Sequence, residues 1–334
     1  MRIAINGFGR IGRNFLRVVM EDPQALKALD VVAINIGPAA IATTAHMFMY
    51  DTLMGTFKGR VALEDNQLVI NEKRIALVAE TDPAKLPWKH FKIDWVVDAT
   101  GRFTQREMAE KHITAGAHGV LITAPAHDED VTIVMGVNDQ LFDRSKHQIV
   151  SIGSCTTNAI VPMLDLLEKS FGITAVTMTT IHAYTNDQVL LDVENLDPRR
   201  ARAAALNIVP TSTGSSKLIE KILPNLQGKV TATAIRVPVA KVSLIDLVFN
   251  TNKPISIEAV NQACQQASQG HLKGIMELIN IPLVSTDFYR NNHSVIIDSL
   301  LTQAHGSVGQ LFGWYDNEWG YSERLKDFLM RCVG

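Results

Sequence analysis

The feature that most constrains this chain lies within its first dozen residues. The apolar run Ile3-Ala4-Ile5 passes at once into Gly7-Phe8-Gly9-Arg10-Ile11-Gly12, and beyond it Ile11, Phe15, Val18 and Val19 fall on one helical face. A second apolar run, Val31-Val32-Ala33-Ile34-Asn35, follows one crossover later. Strand, GxGxxG turn, helix and strand in that order are the context a dinucleotide fingerprint requires. Gly7 permits the tight turn, Gly9 lets backbone approach a pyrophosphate, and Gly12 lets helix and strand pack closely; Arg10 and Ile11 lie between them. The second strand ends in Asn35-Ile36-Gly37, where a carboxylate normally binds the adenosine ribose. Without that charge a 2′-phosphate is not repelled, so the expected cofactor is NAD or NADP, with the choice open.

The rest of the first half keeps this alternation. Leu68-Val69-Ile70 and Ile75-Ala76-Leu77-Val78, joined across residues 71–74, predict a hairpin, and Trp95 to Asp98 predicts a buried strand. Thr104 and Glu107 have the spacing of a capping box, and Gly116 is placed to end that helix. Val120 to Thr123 and Val131 to Met135 add strands, with Thr123 at a strand's carboxyl end, where such folds bind ligands. Residues 1–150 therefore read as a Rossmann-type doubly wound dinucleotide-binding domain, α/β in class. In the second half, alternating runs at 176–181, 230–237 and 242–249 and a helix from Ile257 to Ser268 predict an α+β domain with a mostly antiparallel sheet. Residues 183–210 hold no period and form a long loop. Tyr321 to Arg331 puts Leu325, Phe328, Leu329 and Cys332 on one helical face, so the expected division is 1–150 joined by a terminal helix 318–334, with 151–317 as the second domain.

Composition narrows the partners. A net charge of -2 gives no electrostatic reason to expect nucleic acid or an anionic membrane, and no long uncharged span predicts a membrane helix. Three separated cysteines without a CxxC pair make a disulfide framework or a metal site an unfavoured reading. The chain opens directly on strand and turn without a signal-peptide stretch, so a cytoplasmic protein is expected.

The chemistry-bearing stretch is Ser151-Ile152-Gly153-Ser154-Cys155-Thr156-Thr157-Asn158, fed by a strand and followed by an apolar helical run. A thiol at a helix start, among hydroxyls, is expected to have its pKa lowered by the helix field. His182, where the 176–181 run opens into a loop, has the pKa range of a proton acceptor. The remaining histidines, His46, His112, His147, His271 and His305 among them, read as surface. Thr211 to Ser216 is hydroxyl-rich before a helix and suits a phosphate. Arg236, inside the apolar strand Ala234 to Val237, needs an anion or a carboxylate. Arg199, Arg200 and Arg202 read as a basic loop that is solvated or part of an interface.

Together Gly7–Gly12, Ser154–Asn158, Thr180-Ile181-His182-Ala183, Thr211–Gly214, Arg236-Val237-Pro238 and Trp314–Tyr321 resemble phosphorylating glyceraldehyde-3-phosphate dehydrogenase, in order along the whole chain. The resemblance implies that Cys155 attacks the aldehyde of glyceraldehyde 3-phosphate and that His182 takes the proton. It implies a substrate-phosphate site at Thr185 and Arg236, supported by Asp187. A site for attacking inorganic phosphate is implied at Ser154, Thr156, Thr213 and Gly214, with Arg202 alongside. Gly7, Gly9, Arg10, Ile11, Gly12 and Thr123 are implied as cofactor contacts, with Asn317 on the nicotinamide amide and Tyr321 against its ring. A homotetramer in glycolysis or gluconeogenesis, assembled through the second domain, is also implied. Three positions depart from the family pattern: Ile36 for the ribose-binding aspartate, Thr81 for an arginine near the adenine, and Ala159 for a second cysteine.

Three other readings compete. A sister enzyme acting on erythrose 4-phosphate is disfavoured by the intact Ser212-Thr213-Gly214 run. A cysteine hydrolase leaves the dinucleotide turn and Arg236 unexplained. A non-catalytic binding protein leaves the Cys/His pair unexplained.

Overall fold

The computed structural model describes residues 1–333; Gly334, at the end of the expected terminal helix, lies outside the described residues. The chain divides into two compact units. The first comprises residues 1–135, 139–154 and the chain from Ser322 onward, and the second residues 136–138 and 155–321.

In the first unit the strands are β1 (Arg2–Asn6), β2 (Asp30–Asn35), β3 (Val61–Glu64), β4 (Gln67–Ile70), β5 (Lys73–Val78), β6 (Trp95–Asp98), β7 (Gly119–Ile122), β8 (Val131–Thr132) and β9 (Ile149–Ser151). They form one sheet in the order β3-β4-β5-β2-β1-β6-β7-β9-β8. Its body is parallel, and β3-β4-β5 is an antiparallel edge. Ile3, Ile5, Val96, Val97, Val120 and Leu121 are fully buried, as strands covered on both faces require. From β1 the chain passes to β2 and then to the β3–β5 edge on one side, and returns to β6 on the other side of β1; this reversal opens a crevice at the carboxyl ends of β1 and β6.

The expected hairpin is present, with its turn at Asn71-Glu72 and Asn71 at φ 54°. The capping box is not: the helix Arg106–Thr114 begins after Gln105, with no side-chain cap, because Thr104 pairs through its backbone with His127 instead. Gly116 does follow that helix, at φ +107°. The run 131–135 contributes only two paired residues, since its chain turns at Gly136 (φ +81°). The terminal helix Trp319–Val333 buries Leu325, Phe328, Leu329 and Cys332, and Phe328 meets the Trp95 ring edge-on at 5.5 Å.

The second unit holds β10 (Ile173–Ala183), β11 (Val209–Thr211), β12 (Val230–Val237), β13 (Ser243–Thr251), β14 (Met276–Ile279), β15 (Val295–Asp298), β16 (Gln303–His305) and β17 (Val308–Tyr315). The path is β11-β12-β10-β13-β17-β15-β14, with β16 on β17. Most pairs are antiparallel; β10/β12 and β14/β15 are parallel. β13 alternates strictly between buried and half-buried residues, the pattern of a sheet with one face in a core. The helix Cys155–Phe171 lies on that face: a Cβ on Gly313 of β17 would come within 3.0 Å of the Met163 sulfur. Among the described residues no helix is long and apolar enough to cross a membrane.

Candidate active site

In the second unit, Cys155 opens the helix Cys155–Phe171 and His182 sits near the end of β10. Cys155 Sγ lies 3.6 Å from His182 Nε2. The parallel register that sets His182 beside Arg236 of β12 brings the guanidinium to the other ring nitrogen. Arg236 Nη1 is 2.6 Å from His182 Nδ1 and donates to the Ala183 carbonyl at 2.9 Å. That carbonyl is itself 2.7 Å from Nδ1. A guanidinium can only donate, so it and an Nδ1 proton exclude one another, and an imidazolium is doubly disfavoured. Burial, reinforced by Arg236, pushes the His182 pKa down to about 4.

The thiol does not behave as expected. Burial pushes Cys155 above its ordinary range, outweighing the Arg236 guanidinium and the Thr156 hydrogen bonds, which favour thiolate. The helix-start expectation fails because desolvation dominates at this half-buried position. The resting pair is thus a thiol facing a neutral imidazole. Cys264 and Cys332 are buried and pushed up to about 12.

Tyr315, unassigned from sequence, lies behind Cys155 and His182. Its hydroxyl bridges Thr156 Oγ1 (3.0 Å) and Thr180 Oγ1 (2.8 Å), and its ring meets the His182 ring edge-on. Thr156, expected at a phosphate, is thereby also tied to the sheet.

Thr185, Asp187 and Arg236 come together as the sequence suggested. The Thr185 hydroxyl donates to Asp187, and Arg236 Nη2 lies 3.5 Å from the same carboxylate. Against burial, Thr185, Arg236 and Arg200 hold the Asp187 carboxyl below its usual range. Arg200, read as solvated or interface loop, is a member of this cluster: it pairs with Asp187 at 3.1 Å and donates to Thr211 Oγ1 at 2.9 Å. Arg202 is not; it pairs with Asp192 at 2.7 Å on exposed loop. Thr213 Oγ1 accepts from Ser215 N at the start of the helix Ser215–Ile222, and Gly214 is exposed with open space at its Cβ position. Ser154 falls in the first unit, half-buried.

A buried ion pair that sequence reading missed ties the loop before β13 to the turn after β17. Lys241 Nζ lies 2.9 Å from Asp316, both side chains fully buried. Asp316 also accepts from the Arg290, Glu318 and Trp319 amides. Asn317 is held beside it, its Oδ1 accepting from Val242 N, and Tyr321 is buried in the following helix turn.

In the first unit, a pocket at the crevice of the sheet is lined by Gly7, Gly9, Ile36, Thr81, Thr100 and Arg102, among others. Its glycines fit a pyrophosphate. A Cβ on Gly7, at φ +91°, would lie 2.8 Å from Thr100 Cγ2, and one on Gly12 only 2.2 Å from the Gly7 carbonyl. A Cβ on Gly9 would meet nothing, leaving the start of the helix Arg10–Glu21 open to an anion. Arg10 is ion-paired with Asp51. Arg10, Ile11, Gly12 and Thr123 lie outside the pocket lining, Gly12 acting behind it through packing. Glu80, which the sequence reading did not single out, is on the rim, its carboxylate accepting from the Thr81 and Asp82 amides. His112, read as surface, is fully buried beneath this pocket, because its helix turns that face to the sheet.

Comparisons with known proteins agree on one family. "Glyceraldehyde 3-phosphate dehydrogenase, NAD binding domain" matches residues 1–106, and "Glyceraldehyde 3-phosphate dehydrogenase, C-terminal domain" matches residues 154–317. The chain is 47% identical to glyceraldehyde-3-phosphate dehydrogenase 1 of Bacillus cereus over 98% of its own length and 96% of the relative's. Identity to glyceraldehyde-3-phosphate dehydrogenase 1 of Bacillus subtilis is 47%, with the same coverage. To the glyceraldehyde-3-phosphate dehydrogenase of Geobacillus stearothermophilus it is 46%, again over 98% and 96%.

Proposed function

The chain belongs to the glyceraldehyde-3-phosphate dehydrogenase family of nicotinamide-dinucleotide oxidoreductases, and from that premise we propose that it converts D-glyceraldehyde 3-phosphate and inorganic phosphate to 1,3-bisphosphoglycerate through a covalent acyl group on Cys155. The observation that carries this reading is the approach of Cys155 to His182 beside the Thr185–Asp187–Arg236 cluster.

The substrate phosphate is the anion that Arg236 calls for. A phosphate drawing Arg236 toward itself leaves the Ala183 carbonyl to hold an Nδ1 proton, so that Nε2 faces the thiol as acceptor. Cys155 Sγ then adds to the aldehyde carbon while its proton passes to His182 and from there to the former carbonyl oxygen, giving a neutral thiohemiacetal and leaving His182 free to accept again. His182 takes the hydroxyl proton as that alcohol is oxidised to a thioester. Bound dinucleotide supplies the hydride acceptor for this oxidation. Inorganic phosphate, held by Ser154, Thr156, Thr213 and Gly214, displaces the Cys155 thiolate from the acyl carbon, and the thiolate regains a proton from His182. Arg202 joins this site by exchanging Asp192 for the anion.

Reduced-cofactor formation from glyceraldehyde 3-phosphate, followed with and without phosphate, tests the reading. A burst that becomes turnover only with phosphate, and is lost in Cys155→Ser, is expected. Efficient turnover without phosphate would point instead to the erythrose 4-phosphate reaction.

Ile36 places an apolar side chain where a ribose-binding carboxylate would repel a 2′-phosphate, and Arg102 adds a cation to the same rim, so NADP is accepted alongside NAD. The long loop exposes Leu190, Leu191, Val193, Leu196, Leu206 and Ile208, an apolar surface that suits a further copy of the chain and supports a homotetramer. We assign the protein to cytoplasmic glycolysis or gluconeogenesis.

A further inference from the structure

Beneath the nucleotide pocket runs a chain of buried side chains whose hydrogen bonds all have a fixed sense. Trp88, His112, Asp98, Asn6 and Asn35 are each no more than 4% exposed. The Trp88 indole N–H can only donate, and it does so to His112 Nδ1 at 2.9 Å. The ring proton therefore sits on Nε2, which donates to Asp98 Oδ2 at 3.1 Å. Asn6 Nδ2 donates to the same oxygen at 2.9 Å, so its 3.3 Å approach to His112 Nε2 is two donors converging on one acceptor. That fixes the Asn6 amide: its Oδ1 accepts from Asn35 Nδ2 at 2.7 Å. Asn35 Oδ1 is then turned to accept from the Gly37 and Glu80 amides, at 3.2 and 3.0 Å. The other Asp98 oxygen accepts from Thr100 N (3.1 Å) and Thr100 Oγ1 (2.6 Å). Asn6, Asn35, Gly37, Glu80 and Thr100 all line the pocket; His112, Asp98 and Trp88 do not.

We propose that His112 is a positioning residue for dinucleotide binding: its ring, locked in one tautomer by Trp88, orients Asp98, and Asp98 sets the hydrogen-bonding faces of Asn6, Asn35 and Thr100 in the pocket wall. Nothing on the ring touches the pocket. Its effect is carried by amide orientation: reversing the Asn6 amide would oppose its oxygen to Asp98 and its nitrogen to Asn35. The proposal rests on the dinucleotide-binding reading of that pocket and adds to it the residue that holds its wall in register.

The test is the dissociation constant for NAD and for NADP, measured by calorimetry on the intact protein, alongside kcat and KM for the cofactor. His112→Phe keeps the ring's bulk and removes both nitrogens. It should weaken binding roughly tenfold, the size of one or two net hydrogen bonds, with kcat at saturating cofactor held within about twofold. His112→Gln, whose amide can accept from Trp88 and donate to Asp98, should regain most of that affinity. Wild-type affinity in His112→Phe, whatever its melting temperature, would overturn the proposal, as would equal weakness of the Gln and Phe variants. Should His112→Phe not fold, Asp98→Asn decides, because the asparagine cannot accept at both ends; unchanged affinity there would also overturn it. A wild-type protein that binds neither dinucleotide would overturn the functional reading and this inference together.

Discussion

His182 should make the protein's stability depend on acid in a window that can be worked from its surroundings. In the folded protein its pKa is about 4, against an ordinary value of 6.5, because burial and the Arg236 guanidinium both oppose its charge. Between these values the unfolded chain holds a proton that the folded chain refuses, so stability rises with pH across the window. The contribution is fully present above about pH 6.5 and lost as pH falls through 4. Its size is about 3 kcal/mol, from the width of the window. Asp187, also near Arg236, has its carboxyl held below the usual range and adds its own loss at lower pH. Urea unfolding followed by fluorescence of the second unit's tryptophans, from pH 7 to pH 4, isolates the His182 share when wild type is compared with His182→Gln. The wild-type advantage should shrink by about 3 kcal/mol across the window, other titrating groups cancelling in the difference. Parallel curves for the two proteins would refute the reasoning, since they would mean that the imidazole takes up its proton as readily folded as unfolded.

Gly12→Ala should raise the cofactor KM by about tenfold or more and lower the melting temperature, because its Cβ would lie 2.2 Å from the Gly7 carbonyl, a backbone atom that cannot yield cheaply. Gly9→Ala, whose Cβ meets no protein atom, should lower affinity with little loss of stability; calorimetry and thermal melts on both variants separate the two effects. Ile36→Asp should shift the ratio of kcat/KM for NAD over NADP upward by roughly tenfold or more, a new carboxylate repelling the 2′-phosphate. A wild-type preference for NAD of several orders of magnitude would count against Ile36 as the determinant.

Where a feature depends on neighbours in sequence, it was legible. The glycine turn, the Asn71 hairpin and the apolar stripe on the terminal helix all follow from local spacing. His182 was also accessible, because it stands where a strand opens into a loop, and Arg236, because it is a charged residue in an apolar strand. Features set by partners distant in sequence were not. Lys241 looks like any surface lysine until Asp316, far along the chain, is brought against it. His112 reads as one charge-capable residue in a polar helix, and only the sheet beneath it decides that it is buried. Arg200 and Arg202 are two residues apart in one basic loop, and the fold sends one to Asp187 and the other to Asp192. The Cys155 thiol was misjudged for the same reason: the helix start is local, whereas the desolvation that outweighs it comes from the fold.

The unequal burial of the three cysteines gives the protein a built-in counter. Cys264 and Cys332 are enclosed, with thiols pushed up to about 12, whereas Cys155 keeps part of its surface accessible. An alkylating reagent at neutral pH should add one mass increment, at Cys155, to a folded chain, and further increments only to a chain whose fold has opened around Cys264 and Cys332. Intact-mass spectra of any preparation would therefore report its folded fraction, independent of substrate, cofactor or assay.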